Sequence, residues 1–331
     1  MRLTRLAVLP LILLAVACGG APPSDPISID GSSTLYPLSE AVALDFMKAN
    51  RGATVNVAFT GTGEGFQRFC RGQIDLADAS RPITSAERRT CEQNGVTFVE
   101  LPVAHDALTV IVNSRNTWAA SMSVAELRTL WQPEAQGKVM TWRQVRAGWP
   151  DRPIALYGPG AESGTFDYFT EVINGTLDAS RKDYAANADD QVIVRGVAAD
   201  EGGLGYVGYS YFDRNRSTLK SVAIDDGDDG VGRGAIEPSP SNVGRGVYRP
   251  LGRPLFLYVN AQRADARAEV KAFVNAYLRT ASEIAPSVGQ IPMMGSAYDL
   301  SLQRFTKMTT GTMFVAPQDA GLGIELLLTR Q

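Results

Sequence analysis

The chain has 331 residues, of which 44% are hydrophobic, 8% aromatic and 20% charged. This composition is typical of a globular protein and excludes a disordered chain or a coiled coil. Lys and Arg total 32 against 35 Asp and Glu, a net charge of -3, so nucleic acid is not an expected partner. The single histidine, His105, excludes sites built from several histidines. We expect it to be structural, and we expect no cofactor and no bound metal ion.

The N-terminal residues predict export. Residues 1–17 combine two early arginines with an apolar run of about twelve residues, which is too short to span a bilayer and is typical of a signal peptide. Residues 14–18 resemble the lipobox of bacterial lipoproteins, in which Cys18 is acylated. Ala15 stands where that motif usually has Leu, so ordinary cleavage near Cys18 is the alternative. Residues 18–26 predict a flexible tether. The expected location is the cell envelope or periplasm, with the lipid anchor as the only membrane contact.

Two cysteines remain after such processing, Cys70 and Cys91. An even pair in an exported protein is more often a disulfide than a reactive or metal-binding site. We therefore predict a disulfide bond. Closing a loop of about 20 residues stabilises a protein by roughly 3 kcal/mol in the chain-entropy model.

Short β-rich runs alternate with helical patterns along the rest of the chain. The predicted strands cover residues 27–29, 54–59, 108–112, 154–157, 204–211 and 255–259. The predicted helices cover residues 38–47, 66–70, 165–173, 264–278 and 298–308, and two short ones open at capping-box patterns in residues 123–126 and 141–144. This alternation predicts an α/β protein with largely parallel sheets.

Three strand-to-helix turns share the same local chemistry, a hydroxyl beside glycine or another small residue. They are Ser-Ser-Thr at residues 32–34, Gly-Thr-Gly at 61–63 and Ser-Gly-Thr at 163–165. The first amides of a helix lack intrahelical acceptors, and with the helix dipole they can hold an oxyanion. Any one turn alone is better explained as a helix cap. Parallel sheets bring such turns together beyond the carboxyl ends of their strands, so the three together predict an anion site.

Four segments resemble the phosphate-binding proteins of the bacterial phosphate ABC transporter. They are residues 30–37, 61–70, 79–83 and 162–169, which occur in the family's order and at compatible spacing, and residues 205–208 and 253–260 extend the resemblance over nearly all of the mature chain. The resemblance implies the two-lobed periplasmic-binding-protein fold of type II, an α/β fold in which each lobe is a mostly parallel sheet flanked by helices. Lobe I would comprise residues 27–106 plus 251–331, and lobe II residues 107–250, with the ligand in the cleft between them.

The resemblance also implies a set of phosphate ligands. The first turn would supply the Thr34 hydroxyl and the Leu35 N–H, and Thr62 would replace a family serine in the second. The third turn matches the family's Ser-Gly-Thr and would supply hydroxyls and amides. The complete implied set is Thr34, Leu35, Thr62, Arg81, Ser163, Gly164 and Thr165.

Two positions depart from the family pattern. Arg81 stands where many members have an aspartate, and Pro159 stands where many have an arginine. A guanidinium at Arg81 can hold two oxygens of a tetrahedral anion, and a surface salt bridge is the alternative role. An aspartate can accept the proton of monohydrogen phosphate and repel sulfate. The candidates to replace that acceptor are Glu64 and Glu162.

The implied function is that of a monomeric extracytoplasmic receptor. It would capture inorganic phosphate by lobe closure and deliver it to the transmembrane permease of an ABC transporter. A receptor for another tetrahedral oxyanion, such as sulfate, is the first alternative. The second is a secreted phosphomonoesterase that uses Ser163 as its nucleophile, although the sequence offers no evident general base or metal cluster for it. We therefore expect no enzymatic activity.

Overall fold

The computed structural model describes residues 25–161, 163–228, 234–315 and 323–330. The predicted signal peptide, Cys18, most of the predicted tether and Glu162 lie outside these ranges. The strands are β1 (Ile27–Gly31), β2 (Val55–Val57), β3 (Leu76–Ala79), β4 (Phe98–Asn113), β5 (Ser121–Ser123), β6 (Ala155–Gly158), β7 (Ala185–Ala186), β8 (Gly203–Gly208), β9 (Leu219–Ser221), β10 (Ala223–Asp225) and β11 (Gly252–Asn260).

The helices cover both faces of this strand system. They are α1 (Tyr36–Ala49), α2 (Thr62–Cys70), α3 (Ser85–Gln93), α4 (Val124–Trp131), α5 (Trp142–Val145), α6 (Gly164–Phe169), α7 (Asp190–Ala199), α8 (Tyr209–Arg214), α9 (Pro240–Gly244), α10 (Ala261–Ala266), α11 (Ala268–Ile284), α12 (Gly295–Thr306) and α13 (Ile324–Thr329). A π-helical turn, Thr170–Asn174, continues α6.

Local sequence explains where the helices next to the strands begin. Helix α1 has a proline in its first turn and buries Leu38, Val42 and Phe46 at a spacing of four residues, which aligns them on one face. The predicted capping boxes that open α4 and α5 are confirmed.

The main sheet has the order β2-β1-β3-β11-β4-β8-β6-β7, with β9 also paired to β4. Strand β1 runs parallel to β2 and β3, and β6 runs parallel to β7 and β8. Strand β4 joins the two halves: residues up to Ala107 pair antiparallel with β11, and residues from Leu108 pair antiparallel with β8. The sheet is therefore mixed, where the alternation of elements predicted largely parallel sheets.

Buried apolar side chains form two separate clusters. Core A is built by residues 27–104 and 255–328. Core B is built by residues 107–251 with Ile291, and the tryptophans of this region belong to it or pack against it. The α/β class and the division around a central gap agree with the fold implied by the resemblance. The bounds of lobes I and II stay a prediction.

Three predicted elements differ in extent. The strand predicted at 204–211 ends at Gly208, because residues from Tyr209 form α8. The single helix predicted over 264–278 is two helices, α10 and α11, separated at Arg267. The strand predicted at 108–112 is the second half of the much longer β4.

The predicted disulfide between Cys70 and Cys91 is confirmed, with the two Cα atoms 4.2 Å apart. It joins the last residue of α2 to α3. Since α2 begins at Thr62 and α3 carries Glu87, the bond ties together two helices whose other residues lie near the predicted anion site.

One buried carboxyl lies directly behind the first turn. The side chain of Asp78, on β3, is fully buried, and neither carboxyl oxygen has a normal hydrogen bond among the described residues. Its backbone carbonyl accepts the N–H of Ser32 at 2.9 Å. Burial raises the pKa of Asp78 to about 8, against a smaller lowering by the Ser39 hydroxyl. The folded protein therefore keeps this carboxyl protonated at neutral pH.

This protonation predicts a pH dependence of stability. Between about pH 4, where an unfolded aspartate ionises, and about pH 8, the folded state alone holds the proton. The free energy of unfolding should therefore fall as pH rises across this window, by up to about 1.4 kcal/mol per pH unit from this group. The substitution Asp78→Asn should remove that slope in urea denaturation series. Asp45→Asn, on the exposed face of α1, is the control, and equal slopes in wild type and Asp78→Asn would contradict the assignment.

Candidate functional site

A cavity of about 560 Å³ opens between core A and core B. A second cavity of about 280 Å³ shares three of its lining residues, Ser33, Thr34 and Gly164. The residues around the larger cavity come from all three predicted turns, from the end of β3, from α6 with its π-helical extension, and from β11. They are Ser32, Ser33, Thr34, Thr60, Gly61, Thr62, Gly63, Glu64, Ser80, Arg81, Gly164, Asp167, Tyr168, Glu171, Val172, Leu177 and Arg253.

The first turn is held by backbone bonds to its own helix and to β3. The carbonyl of Ser32 accepts the N–H groups of Leu35 and Tyr36, at 3.2 and 3.0 Å. The hydroxyl of Thr34 faces the cavity side, where it accepts a hydrogen bond from Arg253 at 2.9 Å. Thr34 thus lies where it was predicted, whereas the Leu35 N–H is engaged within the turn and its side chain is fully buried. The role of Leu35 as an anion ligand stays a prediction.

The second turn is fixed to the first by a carboxylate. Asp30, at the end of β1, accepts the N–H and the hydroxyl of Thr60 at 2.9 and 3.0 Å, and it also accepts a hydrogen bond from Arg68 of α2. Gly61 has φ of 98°, a backbone conformation that side chains disfavour. The hydroxyls of Thr62 and Ser80 lie 3.1 Å apart. Ser80 is a cavity residue that the sequence analysis did not identify.

The third turn approaches the first very closely. Ser163 caps α6, since its Oγ accepts the N–H of Thr165 at 3.2 Å. A Cβ built on Gly164 would lie 2.1 Å from Ser33 Oγ and 3.4 Å from Thr34 Oγ1. A larger residue at this position would therefore require the Ser33 side chain or one of the two turns to move. Ser163 and Thr165 line the smaller cavity and not the larger one.

Arg81 lines the larger cavity and is also paired with a carboxylate. Its Nη1 and Nη2 donate to the two carboxylate oxygens of Glu87, at 2.9 and 2.8 Å. Its guanidinium lies 5.5 Å from the centre of the Phe66 ring. Hydrogen bonding to Glu87 raises the pKa of Arg81 above its usual value. The salt bridge considered as an alternative is present, and it holds the guanidinium at the cavity wall.

Arg253 is a second cation at the cavity, and it is absent from the ligand set implied by the sequence. It lies near the start of β11 and is only 9% exposed. Its guanidinium donates to Asp106 of β4 at 3.2 and 3.3 Å and to Thr34 Oγ1. The same group lies 3.5 Å from the centre of the Tyr168 ring, a cation–π contact. Arg253 therefore contacts the first turn, the crossing strands and α6 at once.

Comparisons with known proteins identify the family to which this two-core architecture belongs. Residues 17–279 match the model of the PBP superfamily domain. The protein SphX of Synechocystis is 44% identical over 333 residues, covering 100% of this chain and 97% of that protein. The phosphate-binding protein PstS of Staphylococcus saprophyticus is 32% identical over 294 residues, covering 86% of this chain and 88% of that protein. This chain belongs to the PBP superfamily, in the family of PstS phosphate-binding proteins.

Solved structures of the superfamily have the same fold. A structure described as "a possible phosphate binding protein" from Planctomyces limnophilus superposes with a TM-score of 0.79 at 44% identity, covering 86% of this chain and 99% of that one. An ABC-type phosphate transport receptor from Vibrio cholerae superposes with a TM-score of 0.64 at 21% identity, covering 80% of this chain and 99% of that one. The second likeness concerns the fold alone. The type II fold predicted from the resemblance is thus confirmed.

Carboxylates also line the cavity of this family member. Glu64, one of the two predicted proton acceptors, lies on its wall, and so do Asp167 and Glu171 of α6 and its extension. Desolvation raises the pKa of Asp167 to about 6, with a further raising effect of the Asp178 carboxylate and a lowering effect of Arg253. The sequence did not identify Asp167 and Glu171 as cavity residues. An acidic residue in the first turns of a helix is ordinarily explained by its favourable interaction with the helix dipole.

Other predictions concern features away from the cavity. His105 is buried on β4, and burial lowers its pKa to about 4. The described residues contain no group of three or more His, Cys, Asp or Glu side chains that could hold a metal ion. Among those residues, no helix is both long and apolar enough to cross a membrane.

The glycine contact between the turns gives a direct test of the site. In Gly164→Ala, the new methyl group would overlap the Ser33 hydroxyl, so this hydroxyl must turn away from the cavity wall or the two turns must separate. We expect at least a tenfold loss of anion affinity in isothermal titration calorimetry, about 1.4 kcal/mol. Gly148→Ala is the control, because a Cβ there meets no atom within 4 Å and Gly148 lines neither cavity. Equal affinities of wild type and Gly164→Ala would contradict a role for this close contact between the first and third turns in anion binding.

Proposed function

We propose that this protein is an extracytoplasmic receptor that binds inorganic phosphate between its two cores and delivers it to the permease of an ABC transporter. One observation carries the proposal. Two turns of core A and one of core B, each the start of a helix, line two cavities that share wall residues, and two arginines line the larger one. First-turn amides and hydroxyls can replace the water shell of a small oxyanion, and cations compensate its charge. The names of the PstS relatives point to phosphate as that anion.

The ligand set we propose extends the one implied by sequence. Thr34, Thr62, Arg81 and the third turn, Ser163 to Thr165, keep their predicted roles as phosphate ligands. Arg253 joins them as a second cation. Each charge-assisted hydrogen bond contributes on the order of 1.5–3 kcal/mol, offset by dehydration of the anion. Several together support micromolar or tighter binding, about -8 kcal/mol.

Closure of the two cores over the ligand follows from where its contacts lie. The first and second turns belong to core A and the third turn to core B, so an anion that binds all three stabilises the closed arrangement over an open one. Arg253 favours the same outcome, since it lies on a crossing strand and touches both Thr34 and Tyr168. In this proposal residues 27–106 with 251–331 form lobe I and residues 107–250 form lobe II.

Binding rather than hydrolysis is the proposed activity. Ser163, the nucleophile of the phosphomonoesterase alternative, has its Oγ engaged as the cap of α6. The one imidazole, His105, is buried among strand residues and contributes nothing to the lining of the larger cavity. A serine needs an adjacent base to become nucleophilic, so the hydroxyl is better suited to hydrogen-bond an anion than to attack it.

Export, anchoring and oligomeric state complete the proposal. The leader in residues 1–17 would direct the chain out of the cytoplasm, and acylation of Cys18 would hold it at the membrane surface by the tether of residues 18–26. The disulfide between Cys70 and Cys91 supports an oxidising location. We propose that the mature protein acts as a monomer, with the permease and phosphate as its partners.

Ligand identity is tested by calorimetric titration of phosphate and sulfate into the folded, processed protein. We expect a one-to-one complex with phosphate, with a dissociation constant of about 1 μM or lower. Sulfate should bind much more weakly under the same conditions. Sulfate binding as tight as that of phosphate would contradict the assignment and favour the alternative receptor.

The two arginines are tested by separate variants. Arg81→Ala should weaken phosphate binding tenfold or more, and Arg253→Met should do the same, because each removes a cation from the cavity wall. Arg89→Ala, which changes an exposed arginine of α3, is the charge-matched control and should bind as wild type does. If Arg81→Ala also binds as wild type does, its pairing with Glu87 is purely structural.

A further inference from the structure

A short segment near the C-terminal end of the chain, residues 289–291, connects core A with core B and is called the strap. Ala285 and Met293, on either side of it, are buried in core A, whereas Ile291 is buried in core B. The backbone of Ile291 exchanges two hydrogen bonds with that of His105 on β4, at 2.8 and 2.9 Å. The strap is therefore a non-covalent connection between the cores, in addition to the crossing strands β4 and β11.

The other end of the strap lies against α8 of core B. Gly289 has φ of 91°, and a Cβ built on it would lie 2.7 Å from the Oγ of Ser210. Both ends of the strap, Gly289 and Ile291, thus contact core B. A change in the distance between the cores must therefore alter the contacts of the strap with one of them.

Gln290, at the centre of the strap, contacts the first turn of the anion site. Its Nε2 donates to the Thr34 carbonyl at 2.6 Å, across 256 residues of sequence, and its side chain is buried. In the described part of the chain no backbone N–H donates to this carbonyl. The Thr34 hydroxyl accepts from Arg253. The carbonyl and the hydroxyl of Thr34 are thus each held by a buried side chain from a distant part of the sequence.

The buried amide of Gln290 is a weak source of stability. Its Oε1 is buried and has no hydrogen-bond partner among the described residues. Burying a polar atom without a partner costs free energy, and the single bond to Thr34 offsets only part of that cost. An apolar side chain of similar length would remove the unpaired oxygen but leave the Thr34 carbonyl unpaired, so the two effects on stability oppose each other. The main contribution of Gln290 is therefore to the geometry of the first turn.

We propose that Gln290 is a positioning residue for Thr34 and that the strap couples the position of core B to the first turn of the anion site. The anion is the phosphate of the proposed function, on which this inference rests. Separation of the cores would displace Ile291 and, with it, the neighbouring Gln290, which would turn or release the Thr34 carbonyl. An anion bound to the Thr34 hydroxyl then favours the arrangement in which this bond is intact. The strap acts without touching the ligand, since none of its residues lines either cavity.

The first test replaces Gln290 with methionine, which has a side chain of similar length and no donor. Gln290→Met should weaken phosphate binding about tenfold in isothermal titration calorimetry, because the Thr34 carbonyl loses its partner and the first turn loses orientation. Its thermal midpoint should stay close to that of wild type. Gln262→Met is the matched control and should bind as wild type does, since the Gln262 amide donates to the carbonyl of Gly95, away from both cavities.

Hydrogen exchange tests the positioning role without any ligand. The N–H groups of Leu35 and Tyr36 donate to the Ser32 carbonyl within the first turn. In unliganded Gln290→Met, peptides covering residues 32–36 should exchange about fivefold faster, because local opening of this turn becomes easier. Peptides covering α7 in core B should exchange as in wild type. A general loss of stability would instead raise exchange in both regions.

The coupling to core B is tested at Ile291. Ile291→Ala keeps Gln290 but removes the side chain that holds the strap in core B, so phosphate affinity should fall about fivefold. Ile224→Ala is the matched control, because Ile224 is a buried core B isoleucine on β10. It should lower the thermal midpoint through the cavity that it creates and change phosphate affinity less than about twofold.

Wild-type affinity, or unchanged exchange of residues 32–36, in a folded Gln290→Met variant overturns the role of Gln290. Wild-type affinity in Ile291→Ala, or an equal loss in Ile224→Ala, overturns the coupling to core B. If Gln290→Met does not fold, Gln290→Asn decides, because its amide is shorter by one methylene and cannot keep the bond: weaker phosphate binding supports the role and wild-type binding overturns it. Wild-type protein that binds no phosphate rejects the proposed function itself, whereas the exchange measurement still tests Gln290.

Discussion

A small dianion leaves water only where several hydrogen-bond donors already point to one place, and this constraint governs the architecture of the site. Helix starts supply such donors without breaking other hydrogen bonds, because their first amides have no acceptor within the helix. The sheet brings three helix starts together because β1, β2 and β6 each lead into a turn at the same gap. Partly buried hydrogen bonds, such as those from Thr60 to the Asp30 carboxylate, hold the first two turns. The geometry of the first two turns is therefore set within core A by the fold itself, which lowers the entropic cost of binding.

The crossing strands connect the two cores beside the cavity. Strands β4 and β11 pair along their length beside core A, and β4 continues into core B. Arg253 sits where this pairing ends, held by Asp106 on the neighbouring strand. Its contact with Tyr168 connects that position to α6. Arg253 thus lies where a bound anion and a change in the distance between the two cores would both affect its contacts.

Much of the architecture was predictable because it has a local or repeated signal. Hydrophobic periodicity and capping boxes located most helices, and the repeated turn chemistry located residues that line the two cavities. The first half of β4 escaped prediction since Glu100, His105 and Asp106 interrupt its apolar pattern. The sequence cannot show that Glu100 is satisfied by Tyr258 and by the N–H of Met313, more than 150 residues further along the chain.

The unpredicted site residues have the same explanation. Arg253 and Thr34 are 219 residues apart in sequence. The apolar run after Arg253 is typical of any buried strand and gives no sign of a nearby site. Asp167 is an unremarkable acid in the first turn of a helix until the fold brings it to the cavity beside Arg253. Charge compensation in this protein is therefore a tertiary property. Helix caps and glycines, by contrast, act within a few residues, so local patterns suffice to find them.

The disulfide bond between Cys70 and Cys91 links the redox state of the surroundings to the geometry of the cavity wall. It links the end of α2, whose first turn carries Thr62, to α3, whose Glu87 orients Arg81. In a reducing medium the two helices would be held by packing alone, and both a hydroxyl donor and a guanidinium would lose part of their orientation. An oxidising environment would thus favour the arrangement in which Thr62 and Arg81 share one wall of the cavity.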